Sequence, residues 1–177
     1  YTNYYTRASL TSSNEKEGKL DISGSLALHL LRNRAVVMAG EGTKIAAAGD
    51  QQIHAGTKTN VISVTGSGGP YVTPNSTAGA GAGITASYQN MRGESLVVIG
   101  KNAELSGRNV AIDSGNEYAQ RSIMYTAGVA DKSGVTGMLN IMAGRSNSIV
   151  SVDDEARLNA TDGNIDLQAK NDVGATG

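Results

Sequence analysis

The sequence predicts an all-β parallel β-helix, a solenoid of short strands. Three observations carry that expectation: one aliphatic pattern recurs three times, its residues alternate with strand period, and the composition lacks the large rings that anchor a spherical core. The 177 residues suffice for one ordinary domain, and 39% of them are hydrophobic. Phe, Trp and Cys are absent, whereas 23 glycines are spread along the chain. The apolar side chains are mostly Ala, Val, Ile and Leu, which suit a narrow interior built from many thin, similar layers.

The repeats come first in chain order. Val37-Met38-Ala39-Gly40-Glu41-Gly42-Thr43-Lys44-Ile45 aligns without gaps with Val97-Val98-Ile99-Gly100-Lys101-Asn102-Ala103-Glu104-Leu105, and both align with the stretch from Val150 to Leu158. In each block two aliphatic residues stand eight apart, and Lys44, Glu104 or Arg157 precedes the second. The offsets between blocks are 60 and 53 residues. Each block is preceded by an aliphatic run, Leu26 to Leu30, Ile84 to Tyr88 or Leu139 to Ala143. Each is followed by a matching segment, Gln51 to Ala55, Val110 to Ser114 or Ile165 to Ala169.

Within these segments apolar and small residues alternate with polar ones, as in Ala103, Leu105 and Gly107 against Asn102, Glu104 and Ser106. That is the period of a strand with one buried face. Winding the chain stacks equivalent residues of successive coils, with backbone hydrogen bonds running between coils. Val37, Ala39, Ile45, Ile53 and their counterparts are therefore expected inside, and Lys44, Glu104 and Arg157 outside. Gly, Asn or Asp interrupts the alternation after five to seven residues. Five or six such strands per repeat imply about two coils per repeat and six in all. The expected repeats cover roughly 20–66, 79–128 and 134–177, as one segment of a longer repeat protein.

The first interval is the longer one, and its excess falls at 67–78, which contains both prolines. Proline cannot donate to a ladder, so a loop is expected to project here, with Pro70, Tyr71, Val72, Thr73, Pro74 and Asn75 as the candidate contact residues.

This order of parts resembles that of large bacterial filamentous adhesins, the filamentous haemagglutinin-like and leukotoxin-family adhesins of Gram-negative bacteria. It is carried by the segments from Arg34 to Ile45 and from Gly49 to Ala55, and it extends from Leu20 to Ala169. The resemblance implies the right-handed hand of the coil, secretion through an outer-membrane partner or a fused translocator, and residence at the Gram-negative cell surface. It also implies attachment to a protein or glycan of host cells or other bacteria. Its motif positions are structural, so no binding residue is carried over.

The remaining motifs point to structure before chemistry. Fifteen Lys and Arg oppose sixteen Asp and Glu, a net charge of -1, so no summed field marks a nucleic-acid or membrane-surface binder. Without cysteine there are no disulfides or thiolate metal sites. No apolar run approaches eighteen residues, and Tyr1 to Arg7 do not read as a signal peptide, so the chain reads as an internal excerpt. Ala78 to Gly83 lacks the Lys and Ser or Thr of a phosphate loop and reads as a tight strand or turn. Asp153-Asp154-Glu155 reads as a solvated turn rather than a calcium site. His29 and His54 are both expected at outward positions, without ligand spacing. No catalytic, cofactor or metal residue is assigned.

The leading expectation is thus a non-catalytic adhesive or structural segment, whose cut ends pair end to end or are capped by 1–10. The alternatives are a mechanical stalk for a toxin or tip domain and a carbohydrate-active β-helix enzyme. For the enzyme, Asp113, Glu117, Tyr118 and Arg121 supply the residue types.

Overall fold

The computed structural model describes residues 2–10, 21–67, 80–126 and 133–176, all of it strand and turn. The ten strands are β1 (Thr2–Leu10), β2 (Asp21–Ala39), β3 (Lys44–Ala46), β4 (Gln51–Ser67), β5 (Ala80–Ile99), β6 (Glu104–Gly107), β7 (Val110–Thr126), β8 (Ser133–Val152), β9 (Arg157–Ala160) and β10 (Ile165–Thr176). They form three parallel sheets, with strand orders β1-β4-β7-β10, β2-β5-β8 and β3-β6-β9. Successive strands belong to different sheets, and every third strand returns to the same one. The chain is therefore wound as a parallel β-solenoid, as the repeats require.

The winding differs from expectation in one respect. Each repeat makes one coil, not two, so β2 to β4, β5 to β7 and β8 to β10 give three coils. Lys44 pairs with Glu104 and Glu104 with Arg157, which places adjacent coils one whole repeat apart. The strands are also not short, since those of the two large sheets run from 12 to 20 residues apart from β1. Glycines that look like breaks in the sequence, such as Gly56 and Gly115, lie within strands and pair with each other across coils. A parallel neighbour supplies the hydrogen bonds that hold a glycine extended, so it need not end the strand.

The cross-section is flattened. β2 packs over β4 and β5 over β7, so the two large sheets face each other, and the short sheet closes one end. Near that closed end the interior is aliphatic. Val97, Ile99, Ala103, Leu105, Val110 and Ile112 are fully buried, with Val37, Ile53, Val150 and Leu158 packed against them. Ile45, Leu105 and Leu158 form one inward column, as expected. Ile45, in an outer coil, is 40% exposed, whereas Leu105 between its neighbours is wholly buried. Burying one such side chain contributes roughly 1.5 to 3 kcal/mol.

Away from the closed end the same inward positions become polar. Thr59, Ser63, Thr65, Thr85, Ser87, Gln89, Gln120 and Ser122 are buried. Gln120 Nε2 donates to Gln89 Oε1 at 2.8 Å across the two sheets, and Gln89 Nε2 donates to Ser87 Oγ at 3.4 Å. Closer to the aliphatic half, Ser95 Oγ lies 2.7 Å from Ser114 Oγ and 3.0 Å from Ser148 Oγ.

The corners repeat with the coils. The amides of Thr43, Ala103 and Ala156 donate to the carbonyls of Gly40, Gly100 and Asp153, closing one turn three times. Its third residue is Gly42, Asn102 or Glu155, with φ of 67°, 57° and 61°. That left-handed geometry suits glycine and asparagine and strains glutamate. Gly100 answers a second demand, because a Cβ there would lie 2.9 Å from the Ala39 carbonyl oxygen. The second corner varies in length. Pairs across coils are 60 and 53 residues apart in the short sheet but 59 and 55 in the sheet that follows it. Residues gained or lost between these two sheets are thus confined to the turn. In the first coil this turn carries Asp50, which accepts from Arg108 Nε at 2.9 Å, Arg108 Nη2 at 3.0 Å and Asn109 Nδ2 at 2.8 Å. The Arg108 hydrogen bond leads in pulling the Asp50 carboxyl down to about 2.

Two outcomes follow for stability. Glu155→Gly should raise the thermal midpoint, by on the order of 1 kcal/mol of stability, because it relieves the left-handed strain. It gives up only an exposed 3.9 Å pair with Lys101, which contributes little. A lowered midpoint in a thermal melt would contradict the turn geometry. In the polar half, Gln120→Leu alone should destabilise by about 1 to 3 kcal/mol by leaving Gln89 Oε1 buried without its donor. The double change Gln89→Leu/Gln120→Leu should recover much of that in denaturant titrations. Additive losses would show that the two amides do not meet.

Candidate contact surfaces

The contact loop expected at Pro70, Tyr71, Val72, Thr73, Pro74 and Asn75 lies outside the described residues. Its flanks do not. β4 ends at Ser67 and β5 starts at Ala80, each in one of the two large sheets.

The outer face of the sheet containing β4, β7 and β10 carries a groove of about 390 Å³ lined by His54, Lys58, Glu117, Lys170 and Asp172, among others. Its floor is low because Gly56 and Gly115 pair there and carry no side chain. His54 Nδ1 meets the Asp113 carboxylate on one side, and Lys58 Nζ lies 2.6 Å from Glu117 Oε1 on the other. Lys58 and Glu117 thus face each other with opposite charge one coil apart, whereas Asp172 stands beside Glu117 with the same sign.

The four residue types named for carbohydrate chemistry do not converge. Asp113, Glu117 and Arg121 occupy alternate outward positions on β7, whereas Tyr118 points inward and is 6% exposed. Burial pushes its hydroxyl up to about 12. Asp113 and Glu117 are four residues apart on an extended strand, which sets their backbones about 13 Å apart. Asp153, Asp154 and Glu155 form the exposed corner turn. Among the described residues no group of three His, Cys, Asp or Glu is placed to hold a metal ion.

The outer face of β2, β5 and β8 has the opposite character. The aliphatic runs before each block turn outward, so Leu26, Leu28 and Leu30 are 73%, 61% and 65% exposed, and Ile84, Leu139 and Ile141 stand beside them. Beyond a short gap Val36, Met38 and Ile149 form a second exposed strip. Exposed aliphatic side chains grouped in this way make the face a candidate contact surface. Between the strips Arg32, Arg92 and Arg145 pair in register, one from each coil. Glu94 lies 3.8 Å from Arg32 and 3.3 Å from Arg34, and a depression of about 200 Å³ opens among these side chains. A signal for this row is present in the sequence, because the three arginines stand 60 and 53 residues apart, the offsets of the aligned blocks.

The outward phase of those runs corrects one expectation. His29 lies between Leu28 and Leu30 and therefore points inward, where its Nε2 is 3.0 Å from Ser63 Oγ. His54 is outward, as expected. Burial lowers the His29 pKa below its ordinary 6.5. The unfolded chain then takes up a proton, in the window from 6.5 downward, that the folded chain resists. Stability should hold above that value and fall as pH drops through it. Denaturant titrations at about pH 7.5 and about pH 5 should show the loss, and His29→Gln should shrink it. An unchanged pH response in that variant would place the histidine elsewhere.

Comparison with known proteins finds no match for this chain among family models, curated proteins or solved structures.

Proposed function

We propose that the chain is a non-catalytic, structural and adhesive segment of a secreted bacterial surface filament, similar to the filamentous haemagglutinin-like adhesins. It would reach the Gram-negative surface through an outer-membrane partner or a fused translocator and attach there to host cells or other bacteria. The observation that carries this reading is the broad outer face of β2, β5 and β8, three strands of 19 or 20 residues whose outward positions include the exposed Leu26, Leu28, Leu30, Ile84, Leu139 and Ile141. A solenoid supplies such a face at small cost, because each added coil widens it without a new fold. The mechanical-stalk reading draws on a different feature. β8 and β9 are last in their sheets, and the inward residues Ile165, Leu167 and Val173 of β10 are about half exposed, so further coils can stack there.

Beads coated with the protein should adhere to cultured epithelial cells or to bacteria above the level of beads coated with an unrelated protein. A variant lacking Gly69 to Ser76 measures the share of the segment between β4 and β5. Full adhesion without it leaves the sheet face as the contact, and lost adhesion assigns contact to the loop. Beads that never exceed the control would overturn adhesion and leave the stalk.

A further inference from the structure

We infer that the outer face of β2, β5 and β8 binds the surface of an anionic lipid bilayer, lying flat with its arginine row at the level of the phosphates. The argument starts from charge. Among the described residues this face carries Arg32, Arg34, Arg92 and Arg145 against the single Glu94, while the whole chain is at -1. The net balance thus hides a local cationic band. Arg32 and Arg34 share Glu94, and among the described residues no carboxylate lies within 4.0 Å of Arg92 or Arg145. Parallel pairing sets their backbones about 4.8 Å apart, so the three guanidinium groups repel one another unless an anion sits among them.

The flanks identify the source of that anion. Leu28 and Ile141 lie on one side of the row and Met38 and Ile149 on the other, all at least 44% exposed. A soluble polyanion would neutralise the arginines and leave both strips in water. A second copy laid face to face would oppose one cationic band with another. An anionic bilayer satisfies both halves, because its phosphates meet the guanidinium groups and its headgroup boundary takes the aliphatic side chains. Among the described residues no helix is long and apolar enough to cross a membrane, and the contact inferred is with a surface. It holds for a stalk as well as for an adhesin, so its failure would leave the previous proposal standing.

The test is flotation of the full chain with vesicles of phosphatidylcholine alone or with about 30% phosphatidylglycerol, at low and high salt. Binding should require the anionic lipid and weaken with salt. Arg92→Ala/Arg145→Ala should weaken it on the order of thirty-fold, and Leu28→Asn/Ile141→Asn should also reduce it. Lys58→Ala on the opposite face should leave it unchanged, and far-ultraviolet circular dichroism should show each variant folded, since the altered side chains are exposed. Absence of flotation with either vesicle, or flotation indifferent to both face variants, would overturn the inference. So would retention on immobilised heparin by the parent and the Leu28/Ile141 variant alike without vesicle binding, which would assign the row to a soluble polyanion. A concentration-dependent dimer abolished by the Leu28/Ile141 variant, with no flotation, would assign the face to a second copy.

Discussion

Hydrogen bonding between like positions of successive coils is the constraint on which the rest of the structure depends. Once Leu105 is bonded in register with Ile45 and Leu158, every neighbour on the same strands is fixed in a column of its own kind. A slip of one residue would turn the whole aliphatic set to water. Columns therefore concentrate whatever chemistry a position carries. Where the coils alternate sign, as in Lys44, Glu104 and Arg157, the carboxylate sits between two cations, and the Lys44 hydrogen bond leads in lowering the Glu104 pKa. Where they repeat one sign, as in Arg32, Arg92 and Arg145, the charge accumulates.

The same constraint explains an interior of two kinds. Near the short sheet three walls converge and aliphatic side chains fill the space, so burial supplies the stability. Away from it only two sheets face each other, and the inward columns hold Thr, Ser and Gln. Their hydrogen bonds contribute less each, and their chief value is that leaving them unmade is costly. A register shift would break several at once. Met91, Val61 and Tyr118 form a small apolar plug within this polar half.

Much of the coil was legible in the residues. The eight-residue spacing and the charge before Ile45, Leu105 and Leu158 gave the inward column, its exposed neighbours and the parallel stacking. The number of coils was not legible, because glycine ends a strand in isolation yet persists in one bonded on both sides, as Gly56 and Gly115 do. The phase of the Leu26 to Leu30 run was also misleading. Alternation shows that Leu28 and His29 face opposite ways, but not which way is in, and hydropathy favours the wrong choice here. The arginine row is present in the block offsets, but a charge on a strand reads as a solvated side chain until its neighbours in other coils are known.

The corner between the short sheet and β4, β7 or β10 takes up one or two residues while the strands on either side keep their partners. Length can drift there without disturbing the columns. A fibre assembled on this plan would keep a constant outline along its axis even as its coils diverged in size, so that spacing along the fibre is set by the backbone rather than by the count of amino acids in each turn.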